Sequence, residues 1–106
     1  MVFRKISFMK KLPEITINPF QLGVLLGKVE KHFYSVVIEN YVYCAQCRGF
    51  ANEGIDVEEI VLTDLNNIRV RGRCRKCNGE VARLFEYGEN KDFYGKARRF
   101  RESAKK

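Results

Sequence analysis

From Arg71 to Glu80 the chain reads RGRCRKCNGE, two cysteines two residues apart among basic side chains with Asn-Gly directly after them. A similar stretch, CAQCRG, lies upstream from Cys44 to Gly49. The four cysteines therefore run C-x2-C, twenty-six residues, C-x2-C: Cys44 and Cys47, then Cys74 and Cys77. Zinc takes four tetrahedral ligands, and a two-residue spacer lets one tight turn offer two thiolates to the same ion. Each pair is followed by one residue and then glycine, and Gly49 and Gly79 permit the sharp backbone turn such a knuckle needs. The pattern predicts one structural Zn2+ held by Cys44, Cys47, Cys74 and Cys77.

At 106 residues the chain has room for one domain and one core. Its hydrophobic share of 45% and charged share of 31% exclude a membrane protein and a low-hydrophobicity disordered chain. Lys28, Glu30, Lys31 and His32 interrupt the longest apolar run before it could cross a bilayer. The opening MVFRKISFMKKLP lacks a signal-peptide apolar core and a small-residue cleavage site, so a cytoplasmic protein is expected. In a reducing compartment, two close cysteine pairs are more naturally metal ligands than disulfides.

The pattern of elements predicts an α+β fold. Asn18-Pro19 reads as a helix N-cap followed by proline at the first helical position. Leu22, Leu25, Leu26, Val29, Phe33 and Val36 then recur at helical spacing, predicting one amphipathic helix to about Ile38, weakened at Gly23 and Gly27. That stripe either packs on a sheet or offers a face to a partner. Beyond Asn40 come the β-type runs YVYC, EEIVLTDL, NIRVRGRC and EVARLFEY, with Asn66-Asn67 marking a hairpin between the second and third. Asn90 caps a short basic C-terminal helix in which Phe93, Ala97 and Phe100 share a face. The predicted single domain, 1–106, thus consists of an N-terminal arm and helix (1–40), a cysteine-bearing core (41–88) and a basic helix (90–106).

Residues Tyr41 to about Tyr87 resemble a zinc ribbon, the family of small β-hairpin modules whose two C-x2-C knuckles grip one structural zinc. The resemblance is carried by the four cysteines, with Gly49 and Gly79 as support, and implies a zinc-finger-like module of the kind found in transcription, translation and replication machinery or in adaptors. In ribbons glycine often follows the second ligand directly; here Arg48 and Asn78 stand in those places, so the first knuckle is expected to be shaped differently. A rubredoxin-like iron site is disfavoured by the lack of a proline-containing knuckle, and a thioredoxin-like redox pair by the lack of a βαβ-type strand opening a helix at either pair. Four cysteine ligands leave no position for a catalytic water, so the metal is expected to hold the fold.

Charge suggests the partner. The formal net charge is +7, and three basic blocks surround one acidic block, Phe50 to Leu65. In IRVRGRC, strand alternation sets Ile68, Val70 and Gly72 on one face and Arg69, Arg71 and Arg73 on the other, an arginine comb that Arg75 and Lys76 extend. Guanidinium groups so spaced match a phosphate backbone. The alternative is that Glu58 and Glu59, brought across by the hairpin, pair with them. Arg83 could join either arrangement. On the C-terminal helix, Lys96, Arg98, Arg99 and Arg101 are a solvated face or a nucleic-acid contact. His32, the sole histidine, reads as a helix-flank residue, and no phosphate loop, nucleophile elbow or paired-carboxylate motif is present. A non-enzymatic zinc protein that binds DNA or RNA is expected; a protein-interaction adaptor is the alternative, and a membrane role is not expected.

Overall fold

The computed structural model describes residues 12–104; the basic block at Arg4, Lys5, Lys10 and Lys11, together with Lys105 and Lys106, lies outside them. The fold is α+β. In chain order the elements are β1 (Ile15–Ile17), α1 (Pro19–Leu25), α2 (Lys28–Asn40), β2 (Tyr43–Cys44), β3 (Gly49–Phe50), β4 (Ile55–Leu62), β5 (Ile68–Cys74), β6 (Glu80–Phe85) and α3 (Lys91–Ala104). A four-stranded antiparallel sheet runs β1-β4-β5-β6, and β2 with β3 forms a separate two-stranded hairpin. No helix among the described residues is long and apolar enough to cross a membrane.

Period-two alternation decides which sheet face meets the helices. Ile68, Val70 and Gly72 point inward with their cross-strand partners Ile60, Leu62, Val81 and Phe85, and these join Leu22, Leu25, Leu26, Val37, Phe93 and Ala97 of the helices in one core. A β-bulge between Val57 and Glu59 switches the parity of β4. Ile55 and Val57 therefore share the inner side with Ile60 and Leu62, while Asp56 and Glu59 both face the arginines of β5. Gly72 lies opposite the bulge, where a Cβ would fall on the carbonyl of Asp56, so no larger residue fits there without moving β4.

The N-terminal helix departs from the sequence reading. It is two helices, because α1 ends at Leu25 and Gly27 serves as the N-cap of α2 with extended backbone. Asn18 caps α1 as expected: its side chain accepts from the Gln21 N–H at 2.8 Å while Gln21 Oε1 accepts from the Asn18 N–H at 2.9 Å, a complete capping box. The break at Leu26-Gly27 resets the helical phase, so Tyr34, Val37 and Ile38 pack on the core and Val29 stands 77% exposed. A continuous stripe read through a glycine-weakened stretch could not register that reset. Strand β1, a three-residue edge strand after Pro13, was also not marked by the pattern.

Helix α3 forms where Asn90 caps it, its side chain accepting the Phe93 N–H at 2.9 Å, and it buries Phe93 and Ala97 as expected. Arg101, counted above among the exposed contact residues, is instead only 7% exposed. It lies four residues beyond Ala97 on the same inward face. Its Nε donates to Asn66 Oδ1 at 2.7 Å, one terminal nitrogen to the Pro13 carbonyl and the other to the Thr63 carbonyl, each at 2.6 Å. Burial lowers its pKa from the usual arginine value, and Asp64 opposes that shift. The guanidinium thereby ties α3 to the β4–β5 turn, which Asn66 builds by taking φ 60° and Thr63 supports by accepting the N–H groups of Leu65 and Asn67.

Arg101→Ala should lower unfolding free energy by about 2–4 kcal/mol, since three buried acceptors lose their donor. Arg98→Ala, on the exposed side of the same helix, should change it by at most about 0.5 kcal/mol. Urea titration of the two variants measures the contrast.

Candidate metal centre

Cys44 ends β2 and Cys74 ends β5, and each is followed by a turn that brings its companion, Cys47 or Cys77, back beside it. The four Sγ atoms lie within 4.8 Å of one another. Two of the separations cross between the knuckles, Cys44 to Cys77 at 3.5 Å and Cys47 to Cys74 at 3.9 Å. Four thiolates about 2.3 Å from one tetrahedral ion stand about 3.8 Å apart, so the sulfurs already hold the spacing a single metal requires. Cys44 and Cys74 are fully buried, and Cys47 and Cys77 are half-buried.

The knuckles turn by a different residue from the one expected. The left-handed conformation is taken by Arg48 (φ 59°) and Asn78 (φ 63°), and the two knuckles match in this respect. Gly49 and Gly79 have no such requirement. At Gly79 a Cβ would stand 2.8 Å from Gln46 Oε1, the end of a flexible side chain, and 3.2 Å from Cys77 Sγ, so a larger residue would require small shifts there. The Gly79 amide donates to Cys77 Sγ at 3.3 Å, and the Cys47 amide donates to Cys44 Sγ at 3.4 Å. These N–H donors stabilise thiolate sulfur.

Electrostatics shows why the cluster suits a cation. The N–H groups of Cys77 and Lys76 pull the Cys74 thiol down to about 7. Hydrogen bonding with the Cys77 thiol, followed by desolvation, pushes Cys47 up to about 12. Four sulfurs this close cannot all ionise together without a positive charge among them. The set can hold one metal ion, and with four protein ligands the ion would have no open position.

Apart from the buried Arg101, the predicted nucleic-acid residues divide into two groups. Those of the comb face acids across the sheet. Arg69 donates from both terminal nitrogens to the Glu14 carboxylate at 3.0 and 3.1 Å, and Arg71 donates to Glu59 at 3.0 Å with Glu80 at 3.9 Å. Arg73 lies 3.8 Å from Glu58 and also donates to the Asn78 carbonyl, and Arg75 donates to Asp56 at 2.9 Å. Arg83 takes neither expected role. It sits on the inner face between Val81 and Phe85, with its guanidinium carbon 5.5 Å from the centroid of the Phe85 ring. In the second group, Lys76, Arg98 and Arg99 are exposed and Lys96 is half-buried, and none of the four makes an ion pair among the described residues. His32 is exposed on α2.

The sequence reading passed over three aromatic residues beside the metal centre. Val42 and Cys44 are completely buried; alternation turns Tyr43 outward, where it is 57% exposed, and Tyr41, the C-cap of α2, is 49% exposed. Phe50, the cross-strand partner of Tyr43, is 56% exposed, and its ring meets Tyr41 edge-on with centroids 5.6 Å apart. The signal lay in YVYC, once its cysteine was assigned to the interior.

No family model, curated protein or solved structure matches this chain.

Strands of two residues are too short to persist alone. Removing the metal with a chelator should therefore abolish amide-exchange protection in the knuckles, 42–51 and 74–79, while the β4–β5 ladder stays protected. Metal uptake should tighten as pH rises, because bound thiols must lose their protons. Hydrogen-exchange mass spectrometry and metal titration at two pH values read both effects.

Proposed function

We propose that this chain is a non-enzymatic protein organised by one structural Zn2+, akin to a zinc ribbon, and that it binds nucleic acid. Four cysteine ligands in a compact cluster suit zinc, which imposes no redox chemistry and accepts a closed tetrahedral thiolate site. Cys44, Cys47, Cys74 and Cys77 would hold the ion, whose contribution is to fix the two knuckles.

One observation carries the nucleic-acid reading: within a chain of net charge +7, Arg69, Arg71, Arg73 and Arg75 are matched with acids while a second group of cations makes no ion pair among the described residues. Lys96, Arg98 and Arg99 lie on α3, and Arg48 and Lys76 on the two knuckles. The contact surface proposed is this second group, with Arg69, Arg71, Arg73 and Arg75 acting across the sheet surface instead. Exposed pairs of that kind are each worth about 0–1 kcal/mol, and their acids would repel phosphate. Cations without acid neighbours gain affinity by releasing counterions from the phosphates.

The alternative, an adaptor for a protein partner, is favoured by the exposed Phe20, Val24 and Val29 and by a groove of about 400 Å³ between α1, α2 and β4. Its signature is a specific protein retained after nuclease treatment.

Binding to DNA and RNA should weaken as salt rises, with log affinity falling by about 0.9 per duplex phosphate contacted. Replacing Lys96, Arg98 and Arg99 together by alanine should lower that slope, whereas replacing Arg69, Arg71 and Arg73 by glutamine should leave it nearly unchanged. Loss of binding in the second variant alone would move the contact surface to the comb. Absence of binding by the unaltered protein at low salt would remove the reading.

A further inference from the structure

Large aromatic side chains turned to solvent at three adjoining positions are not explained by the core, which Val42, Cys44 and Ala51 already complete at this end of the molecule. Tyr43 and Phe50 sit on the shortest hairpin of the fold and Tyr41, the C-cap of α2, just before it; the hairpin is anchored by Cys44 within the sulfur cluster and by the Ala51 amide, which donates to the Val42 carbonyl at 2.7 Å. The hairpin is tied to the second knuckle as well. Gly54, whose amide donates to the Ala51 carbonyl at 2.9 Å, accepts the Arg75 N–H at 3.1 Å. The three rings are thus carried on a rigid support instead of a loop.

The charge around them narrows the partner. Between Glu39 and Glu53, which flank it, the segment Tyr41 to Asn52 carries no acid, and its one charged residue is Arg48. Lys76 precedes Cys77, whose sulfur lies 3.5 Å from that of Cys44, so a second cation stands on the adjoining knuckle. Neither Arg48 nor Lys76 makes an ion pair among the described residues. Exposed rings beside cations that make no ion pair fit a ligand that offers flat π-faces and negative charge together. Bases of a single strand present such faces, whereas those of a duplex bury them against each other.

We propose that Tyr41, Tyr43 and Phe50 form a stacking platform for unpaired bases of a single-stranded nucleic acid, with Arg48 and Lys76 meeting its phosphates. This deepens the nucleic-acid reading above and rests on it. The platform would add a preference for single strands to a contact that α3 makes through phosphates alone. Stacking of this kind tolerates any base, so it selects the unpaired state and not a sequence.

The test uses the full-length, zinc-loaded protein and three labelled probes: oligothymidylate, an abasic deoxyribose-phosphate strand of the same length, and a duplex. The unaltered protein should bind oligothymidylate about tenfold more tightly than the abasic strand, in keeping with the worth of one or two stacked bases. Replacing Tyr43 and Phe50 by leucine keeps the apolar surface and removes the aromatic faces. That variant should bind both strands alike, with its salt slope unchanged. Should the double variant lose zinc, Phe50→Leu alone serves, and a second measurement needs no substitution. The chain contains five tyrosines and no tryptophan, so oligothymidylate, but not the abasic strand, should quench its intrinsic fluorescence. Equal affinity of the unaltered protein for the two strands, or unchanged oligothymidylate binding by the leucine variant, would overturn the platform and leave phosphate binding through α3 standing. Absence of binding to every probe would remove both readings.

Discussion

Four sulfur atoms from two distant stretches of chain converge within 4.8 Å, and the hairpin that carries two of them cannot persist by itself. The sheet supplies one half of the cluster, because β5 runs directly into Cys74. The other half, Cys44 at the end of β2 and Cys47 in the turn after it, belongs to a hairpin of two-residue strands positioned through sulfur, a few backbone hydrogen bonds and the buried Val42 and Ala51. A cation among the thiolates would turn a repulsive crowd into a clamp. The orientation of Tyr43, Phe50 and Arg48 would depend on that clamp, whereas the β4–β5 core would not.

Charge is arranged in a complementary way. The bulge in β4 shifts the strand by one residue, and that shift places Asp56 and Glu59 opposite Arg73 and Arg71. The outer sheet face consequently carries a ladder of opposite charges, and Arg101 is withdrawn into the interior to fasten α3. Among the cations that make no ion pair in the described residues are Lys96, Arg98 and Arg99 on α3 and Arg48 and Lys76 on the knuckles. Positive charge that contributes nothing to internal pairing marks those two places as candidate contact surfaces.

Much of this was legible in the sequence, for identifiable reasons. The C-x2-C spacing determined the metal cluster, Asn18-Pro19 and Asn90 marked two helix starts, and alternation in IRVRGRC assigned its buried and exposed residues correctly. The helix break at Gly27 was hidden because the apolar spacing ran on through it. The left-handed turn at Arg48 was hidden because arginine rarely adopts positive φ, whereas asparagine at position 78 tolerates it. Arg101 could not be distinguished from its exposed neighbours, since its burial depends on carbonyls from Pro13 and Thr63 that only the tertiary fold brings near. The comb arginines were readable either as paired or as open, and it took the cross-strand register to join them to acids.

The central claim is that one metal ion bound by four thiolates fixes the knuckles. Titration of the reduced metal-depleted protein with Co2+, followed by visible absorption, tests it most directly, because cobalt reports both ligand type and geometry. The account predicts intense tetrahedral thiolate bands that saturate at one ion per chain and disappear on adding zinc. A pale spectrum without thiolate-to-metal absorption, from a protein whose knuckles remain ordered, would contradict it.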